Sequence, residues 1–152
     1  MDTITFRTSI RSDLFDIIRL LGDDPIGQSR EIVSDRIDDR YISAYEAIEK
    51  DPNQLLAVAV DAETVVGCMQ LSFVPGLSRT GMWRGQIESV RISRSHRGSG
   101  LGKRFFEWAF DRFKERGCGL VQLTTDKERP DAIRFYETLG FKASHEGMKL
   151  SI

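Results

Sequence analysis

The residues best suited to chemistry lie in a glycine-rich segment, residues 95–103, that reads Ser-His-Arg-Gly-Ser-Gly-Leu-Gly-Lys. The segment follows an apolar run typical of a strand, residues 87–92, and opens a strongly patterned helix, residues 101–116. A glycine-rich turn between a strand and a helix leaves backbone N–H groups unpaired, and the positive end of the helix dipole lies beside them. The segment therefore predicts an anion-binding site.

The spacing of the glycines excludes the two commonest nucleotide-binding loops. A P-loop requires Ser or Thr after its Gly-Lys pair, but Gly102-Lys103 is followed by Arg104. A dinucleotide fingerprint requires Gly-x-Gly-x-x-Gly, whereas the glycines here alternate at positions 98, 100 and 102. The pattern that fits is Arg-x-x-Gly-x-Gly, beginning at Arg97. Taken alone, an ordinary glycine-rich turn is the alternative interpretation.

A second patterned segment, residues 130–141, predicts a late helix. Pro130 suits a first helical turn, and Gly140 can end the helix in the left-handed conformation with Phe141 folding back. One apolar face recurs at spacings of three and four: Ala132, Phe135, Tyr136 and Leu139. Taken alone, Tyr136 would be a core aromatic residue, but its place in this pattern downstream of the Arg97 loop favours a functional role.

The two motifs, Arg-x-x-Gly-x-Gly and the Ala-x-x-x-Tyr-x-x-x-Gly-Phe of residues 132–141, resemble those of the GNAT superfamily of N-acetyltransferases, which bind acetyl-CoA. The resemblance extends over most of the chain, and its specific part is residues 87–141. It implies a single domain over residues 1–152 and acetyl-CoA as co-substrate. The implied fold is mixed α/β, with a mostly antiparallel sheet of about six to seven strands and about four flanking helices.

The chemistry implied by this resemblance needs a base and an acid, because a protonated amine cannot attack a thioester and a leaving thiolate is expelled best when protonated. Glu88 is the candidate base. By period two it would share a face with Val90 and Ile92, where a carboxylate suits a cleft wall or a bulge. The alternative is a structural carboxylate paired with an arginine such as Arg84 or Arg91. The resemblance makes Tyr136 the candidate acid.

The resemblance also implies which residues contact CoA. The main chain of Val90, Arg91 and Ile92 would pair with the pantetheine arm like an added strand, and the Ile92 amide would polarise the thioester carbonyl. The pyrophosphate would be held by Arg97, Gly98, Ser99, Gly100, Leu101, Gly102 and Lys103. Arg129 and Tyr136 complete the predicted set, although many relatives carry Asn at the position of Arg129.

Local patterns predict the elements that position these residues. A first strand near residues 4–7 precedes a helix capped by Ser12, and a second helix would carry Val33, Ile37, Tyr41, Tyr45 and Ile48 on one side. Strands are expected at residues 54–60, 64–74, 82–92 and 120–124. Two final strands are expected near residues 141–144 and 148–152, which gives the order β-α-α-β-β-β-α-β-α-β-β.

Charge is distributed unequally along the 152 residues. The first 76 carry 7 basic and 14 acidic residues, and the remaining 76 carry 15 basic and 9 acidic residues, for a net charge of −1. The basic half contains the predicted CoA loop. The acidic half, which includes Asp23 and Asp24, favours the approach of a cationic amine. Solvated helix faces are the alternative explanation for the acidic residues.

Composition narrows the remaining classes of function. No basic region followed by an apolar block opens the chain, and no apolar run has the length of a bilayer span, so we expect a cytoplasmic protein without membrane contact. The two cysteines and two histidines lack the spacing of metal ligands, so no metal site is predicted. Basic and aromatic residues do not alternate along any stripe, so nucleic-acid binding is not predicted either. A homodimer is implied by the family alone. A catalytically silent acyl-CoA-binding module remains the alternative to an enzyme.

Overall fold

The computed structural model describes residues 2–152, and its strands are β1 (Ile4–Thr8), β2 (Gln54–Asp61), β3 (Thr64–Val74), β4 (Arg84–Ile92) and β5 (Leu120–Leu123). Met1, which belongs to the predicted 1–152 domain, lies outside the described residues. The strands are hydrogen-bonded in sequence order, antiparallel from β1 to β4 and parallel between β4 and β5. The prediction of a mixed α/β fold is therefore confirmed.

The helices are α1 (Leu14–Leu21), α2 (Pro25–Gln28), α3 (Asp39–Lys50), α4 (Ser78–Gly81), α5 (Leu101–Glu115) and α6 (Pro130–Thr138). Four of these, α1, α3, α5 and α6, have eight residues or more. Within residues 2–152, none of the helices combines the length and the apolar character that crossing a bilayer requires.

A separate hydrophobic core covers each face of the sheet. On one face, α5 buries Phe105, Phe106 and Phe113 against strand residues such as Ile87. On the other face, α1 and α3 pack on β2 and β3. Full burial of one such phenylalanine contributes about 1.5–3 kcal/mol. A Cβ added at Gly85 would overlap the ring of Phe113, so the C-terminal half of α5 packs directly against β4.

The number of strands differs from the prediction. Within the described residues no strand follows β5, so the sheet has five strands and the expected strands at residues 141–144 and 148–152 are absent. Met148, Leu150 and Ile152 are instead 93%, 87% and 120% exposed. Apolar residues alone do not make a strand, because a strand also needs a neighbour that completes its hydrogen-bond ladder.

The second predicted helix begins later than expected. The side chain of Asp38 accepts a hydrogen bond from the Arg40 amide and caps α3, which starts at Asp39. Val33, expected on the apolar face of this helix, lies before it and is 48% exposed. The predicted helical periodicity matches α3 from Tyr41 onward, but the start of the helix is set by its N-cap, Asp38.

Candidate active site

The edge of β4 is open where CoA is predicted to bind. Parallel pairing of β4 with β5 runs from Arg84 opposite Leu120 to Ile87 opposite Leu123 and then stops. Because β4 continues to Ile92 while β5 ends at Leu123, the two strands separate along residues 88–92 of β4. The predicted pantetheine-binding residues Val90, Arg91 and Ile92 all lie on this stretch, which pairs with β3 but has no partner on the β5 side.

A β-bulge re-aims the side chains of this stretch. Gln70 of β3 pairs with Glu88, but Cys68 pairs with Arg91, so two residues of β4 oppose one of β3. Ser89, inside the bulge, has a left-handed φ of 57°. Such an insertion reverses the alternation of side chains beyond it.

The bulge corrects the predicted facing of Glu88. Val90 and Ile92 pack against the core under α5, together with Ile87. The pairings with Gln70 and Cys68 instead turn Glu88 and Arg91 toward the opposite face. Glu88 is exposed and, within residues 2–152, forms neither of the ion pairs with Arg84 or Arg91 that a structural role would have required.

The predicted pyrophosphate loop presents unoccupied backbone donors. Gly98 and Gly100 have φ values of 74° and 84°, which only glycine adopts readily, and Gly100 directly precedes α5. Within the described residues, none of the amides from Gly98 to Lys103 donates a hydrogen bond of good geometry to the protein. Arg97 turns back, and its Nε donates to the Ile92 carbonyl at 3.1 Å, which fastens the loop to the end of β4.

His96 is a positioning residue for this loop that the sequence did not reveal. Its Nε2 lies 2.7 Å from Asp61 Oδ2, and its Nδ1 lies 2.8 Å from Ser95 Oγ. The Ser99 hydroxyl donates to the His96 carbonyl. The imidazole therefore joins the loop to the end of β2. Asp61 lies 35 residues away in sequence, so no local spacing pointed to the contact.

Tyr136 lies on α6 among aromatic side chains. Its ring centroid is 5.6 Å from that of Phe106 and 6.0 Å from that of Phe141, and the backbone amide of Phe141 donates to the Tyr136 carbonyl. Gly140, with a φ of 98°, ends the helix as predicted. Burial raises the pKa of the Tyr136 phenol, while the charges of Arg91 and Arg129 act in the opposite direction. The phenol therefore keeps its proton at neutral pH and can donate it.

Arg91 and Arg129 converge on one carboxylate beside this tyrosine. Asp24 Oδ2 lies 2.6 Å from Arg129 Nη1 and 4.0 Å from Arg91 Nε. The other Asp24 oxygen accepts a hydrogen bond from the Gly27 amide and caps α2. The Arg129 side chain, predicted from the resemblance to contact CoA, is directed in this structure to the link between α1 and α2.

The acidic residues predicted to attract a cationic amine are largely paired. Asp23 lies 3.4 Å from Arg94, and Asp38 lies 2.9 Å from Arg40. Tyr41 donates a hydrogen bond of 2.7 Å to Glu31. Several carboxylates in the first half of the chain therefore form internal contacts, which reduces the free anionic surface that the sequence suggested.

Comparison with known proteins agrees with these features. The sequence model of the Acetyltransferase (GNAT) family matches residues 16–141. An aminoalkylphosphonate N-acetyltransferase of Salmonella typhimurium is 33% identical over 95 residues, 62% of this chain and 61% of that protein. A glucosamine 6-phosphate N-acetyltransferase of Trypanosoma brucei brucei is 34% identical over 88 residues, 58% of each chain. The chain thus spans about three-fifths of the length of these curated relatives.

A solved structure extends the likeness over nearly the whole chain. The crystal structure of a transcriptional regulator from Bacillus halodurans C-125 is 47% identical, with a TM-score of 0.95, over 98% of this chain and 99% of that one. The family match covers most of the residues and includes both motifs of the predicted site. The chain therefore belongs to the GNAT family of acetyltransferases.

Proposed function

We propose that this protein transfers an acetyl group from acetyl-CoA directly to the primary amine of a small molecule. The observation that carries the proposal is the row of unoccupied amides from Gly98 to Lys103 at the N-terminus of α5. Such a row binds phosphate oxygens through main-chain donors and the helix dipole. The adjoining unpaired edge of β4 then offers hydrogen bonds to the pantetheine arm.

The proposed reaction assigns one role to each of three groups near this edge. Glu88 accepts a proton from the amine, directly or through water, and the nitrogen lone pair attacks the thioester carbonyl carbon. The Ile92 amide stabilises the charge that develops on the carbonyl oxygen. As the carbon–sulfur bond breaks, Tyr136 gives its phenolic proton to the sulfur, and the nitrogen loses its second proton, directly or through water, to the phenolate, which restores the tyrosine. The products are an N-acetyl amine and free CoA.

The named relatives support a small-molecule acceptor. The Salmonella protein is described as acting on aminoalkylphosphonates and the trypanosome protein on glucosamine 6-phosphate. These two names make small amines the first acceptors to test, ahead of protein termini and lysines.

A catalytically silent CoA-binding module is the second candidate, because the 47% identical solved structure is described as a transcriptional regulator. Release of free thiol from acetyl-CoA across a panel of amines separates the two candidates. We expect turnover with at least one amine. Calorimetric binding of CoA without turnover of any amine would favour the silent module, and no binding of CoA at all would exclude both.

We also propose the homodimer that the family resemblance implies. The exposed apolar side chains of Met148, Leu150 and Ile152 support it, because they offer apolar surface to another protein molecule. Sedimentation equilibrium checks this proposal, and a monomer at micromolar concentration would contradict it.

A further inference from the structure

Two guanidinium groups share a single carboxylate oxygen on the face of the sheet that Glu88 faces. Asp24 Oδ2 lies 2.6 Å from Arg129 Nη1 and 4.0 Å from Arg91 Nε. All three side chains are largely buried, with exposed fractions of 26% for Arg129, 16% for Arg91 and 18% for Asp24. The centre of this cluster therefore carries two positive charges against one negative charge.

Arg91 is left with unused hydrogen-bond donors. Its Nη1 donates to the Val90 carbonyl at 2.8 Å, while its buried Nε has no acceptor within the described residues. A guanidinium carries five N–H donors, and buried donors without partners are costly. Arg91 is therefore held in a place where an added acceptor would be stabilising.

An unused Nε alone would be weak evidence for a ligand site, because Arg84 on the same strand also has an unused Nε. The difference between the two arginines is the charge around them. Within residues 2–152 no carboxylate lies within ion-pair distance of Arg84, so Arg84 shares no carboxylate with a second guanidinium as Arg91 does with Arg129. The Arg91–Arg129 pair is the feature that calls for a ligand.

The charge of Arg129 disfavours the charged form of Arg91. Burial is the largest cause that lowers the pKa of Arg91, and the charge of Arg129 is the next. The opposing effect of Asp24 is smaller than that of Arg129, and that of Glu31, whose carboxylate is occupied by Tyr41, is smaller still. A ligand with negative charge would relieve this repulsion.

The position of the pair separates it from the diphosphate loop. Arg91 follows the Ser89 bulge and faces the side of the sheet opposite α5, as Glu88 does. The amides of residues 98–103 lie at the N-terminus of α5. Tyr136 lies within electrostatic reach of both arginines. The pair therefore lies on the face of the sheet that carries the proposed base, and it is distinct from the loop that is proposed to hold the diphosphate.

We propose that Arg91 and Arg129 bind an anionic group of the acceptor, a phosphate, phosphonate or carboxylate carried by the same molecule as the amine. This inference rests on the proposed acetyl transfer and narrows its substrate class. Planar guanidinium groups match the oxygens of such anions in a bidentate manner. Anchoring the anion here would hold the amine near Glu88, which is on the same face.

The test compares amines that differ only in charge. Acetylation of 2-aminoethylphosphonate is measured against its diethyl ester, and that of β-alanine against β-alaninamide. We expect kcat/KM to favour the anionic member of at least one pair by about 10- to 100-fold, the range of a charged hydrogen bond. The pair with the larger ratio identifies a phosphoryl or a carboxylate group as the preferred anion.

Variants assign this preference to the arginines. Arg91→Gln and Arg129→Gln should each lower the preference for the anionic amine by about tenfold, chiefly through KM. Arg84→Gln, on the same strand and with the same unused Nε, is the matched control and should leave the preference unchanged. CoA affinity, measured by calorimetry, should stay within about twofold in both variants of the pair. If Arg91→Gln fails to fold, Arg91→Lys, which retains the charge, replaces it in the test.

The outcomes separate this inference from the proposed function. Acetylation of neutral amines as fast as anionic ones, or a preference that survives both Gln variants, would overturn the anion site and leave acetyl transfer standing. A loss of CoA affinity in the variants would show that the arginines serve CoA instead. If no amine is acetylated, the proposed acetyl transfer is wrong. The anion site is then tested by the binding of methylphosphonate to the CoA-loaded protein. Binding weakened tenfold by Arg91→Gln would then support the anion site, and no binding would overturn it.

Discussion

The loop at residues 98–103 and the Arg91–Arg129 pair both present donors to an anion, but they are built from different parts of the chain. The loop uses consecutive main-chain amides, freed by two glycines with left-handed φ. The pair uses side chains from β4, from the residue before α6, and from the link between α1 and α2 that holds Asp24. The first is a local construction, and the second exists only once the tertiary fold is complete.

The loop and the pair also differ in the energetic cost of leaving the anion site empty. Amides that face solvent carry no net charge and can bind water, so the loop needs no compensating group. Buried guanidinium groups lose hydration and repel each other, so the pair requires Asp24 even when no ligand is bound. We therefore expect the loss of a loop donor to act on ligand binding, and the loss of charge balance in the pair to act on stability as well.

Tyr136 lies close to the pair and is proposed to act on the thioester, so its replacement should have the largest effect. Tyr136→Phe removes the proton donor and should lower kcat by about 100-fold, as for other general acids, with little change in CoA affinity. In the unaltered protein, kcat should not fall through loss of this proton below pH about 10, since burial raises the pKa of Tyr136 above its ordinary value. Steady-state kinetics check both points, and an unchanged kcat would remove Tyr136 from the chemistry.

Replacement of Glu88 should have a smaller, pH-dependent effect. Glu88→Gln should lower kcat/KM by about 30-fold near pH 6.5, less than is usual for a base because solvent reaches this exposed residue. The deficit should shrink as the pH rises toward the pKa of the amine itself, about 10, because the amine then loses its proton unaided. A pH–rate profile of the two proteins tests this, and equal activity at every pH would make Glu88 structural.

Replacement of a loop glycine should weaken CoA binding, with a small cost in stability. Gly100 has a φ of 84° and open space around its Cα, so Gly100→Ala meets no neighbour and disturbs only the backbone conformation. Left-handed φ costs alanine about 1 kcal/mol or more, and relaxation of the loop should raise the Kd of CoA by about tenfold.

Gly117 provides the matched control for this variant. It follows the other end of α5 with a φ of 76° and similarly open surroundings. Gly117→Ala should therefore cost the same stability and leave CoA affinity unchanged. Calorimetric titration and thermal melts compare the two, and equal CoA affinities would show that the loop conformation is unimportant.

The same difference in construction explains which parts of the site could be predicted. The loop, the helix that follows it and the end of α6 at Gly140 are local patterns, and the sequence located them within a residue or two. The Arg91–Arg129 pair depends on contacts between positions 24, 91 and 129, which no spacing rule connects. From the sequence, Asp24 even suggested a cationic acceptor, because its pairing with Arg129 was not visible.

The Ser89 bulge shows a second limit of sequence patterns. Period-two alternation placed Glu88 with Val90 and Ile92, but one inserted residue reversed the faces beyond it. The bulge is set by how β4 pairs with β3, and Ser89 has no residue type that demands a left-handed φ. The missing final strands have a similar cause, because Met148 and Leu150 are suitable for a strand but lack a neighbouring one.

Removal of the shared carboxylate should have the smallest effect on activity and best distinguishes the two constructions. Asp24→Asn keeps the side-chain oxygen that accepts from the Gly27 amide, so the cap of α2 survives while the negative charge is lost. The arginines would then be uncompensated, and the free energy of unfolding should fall by about 1–3 kcal/mol.

An anionic amine should restore the missing charge, so its KM should fall by about threefold while that of a neutral amine stays unchanged. Added methylphosphonate should also raise the melting temperature of Asp24→Asn more than that of the unaltered protein, because the ligand supplies the charge that Asp24 provided. A variant as stable as the unaltered protein, with no response to the anion, would mean that the two guanidinium groups do not need a counter-charge. The pair would then be no different from Arg84, and the distinction between a neutral loop and a charged pair would fail.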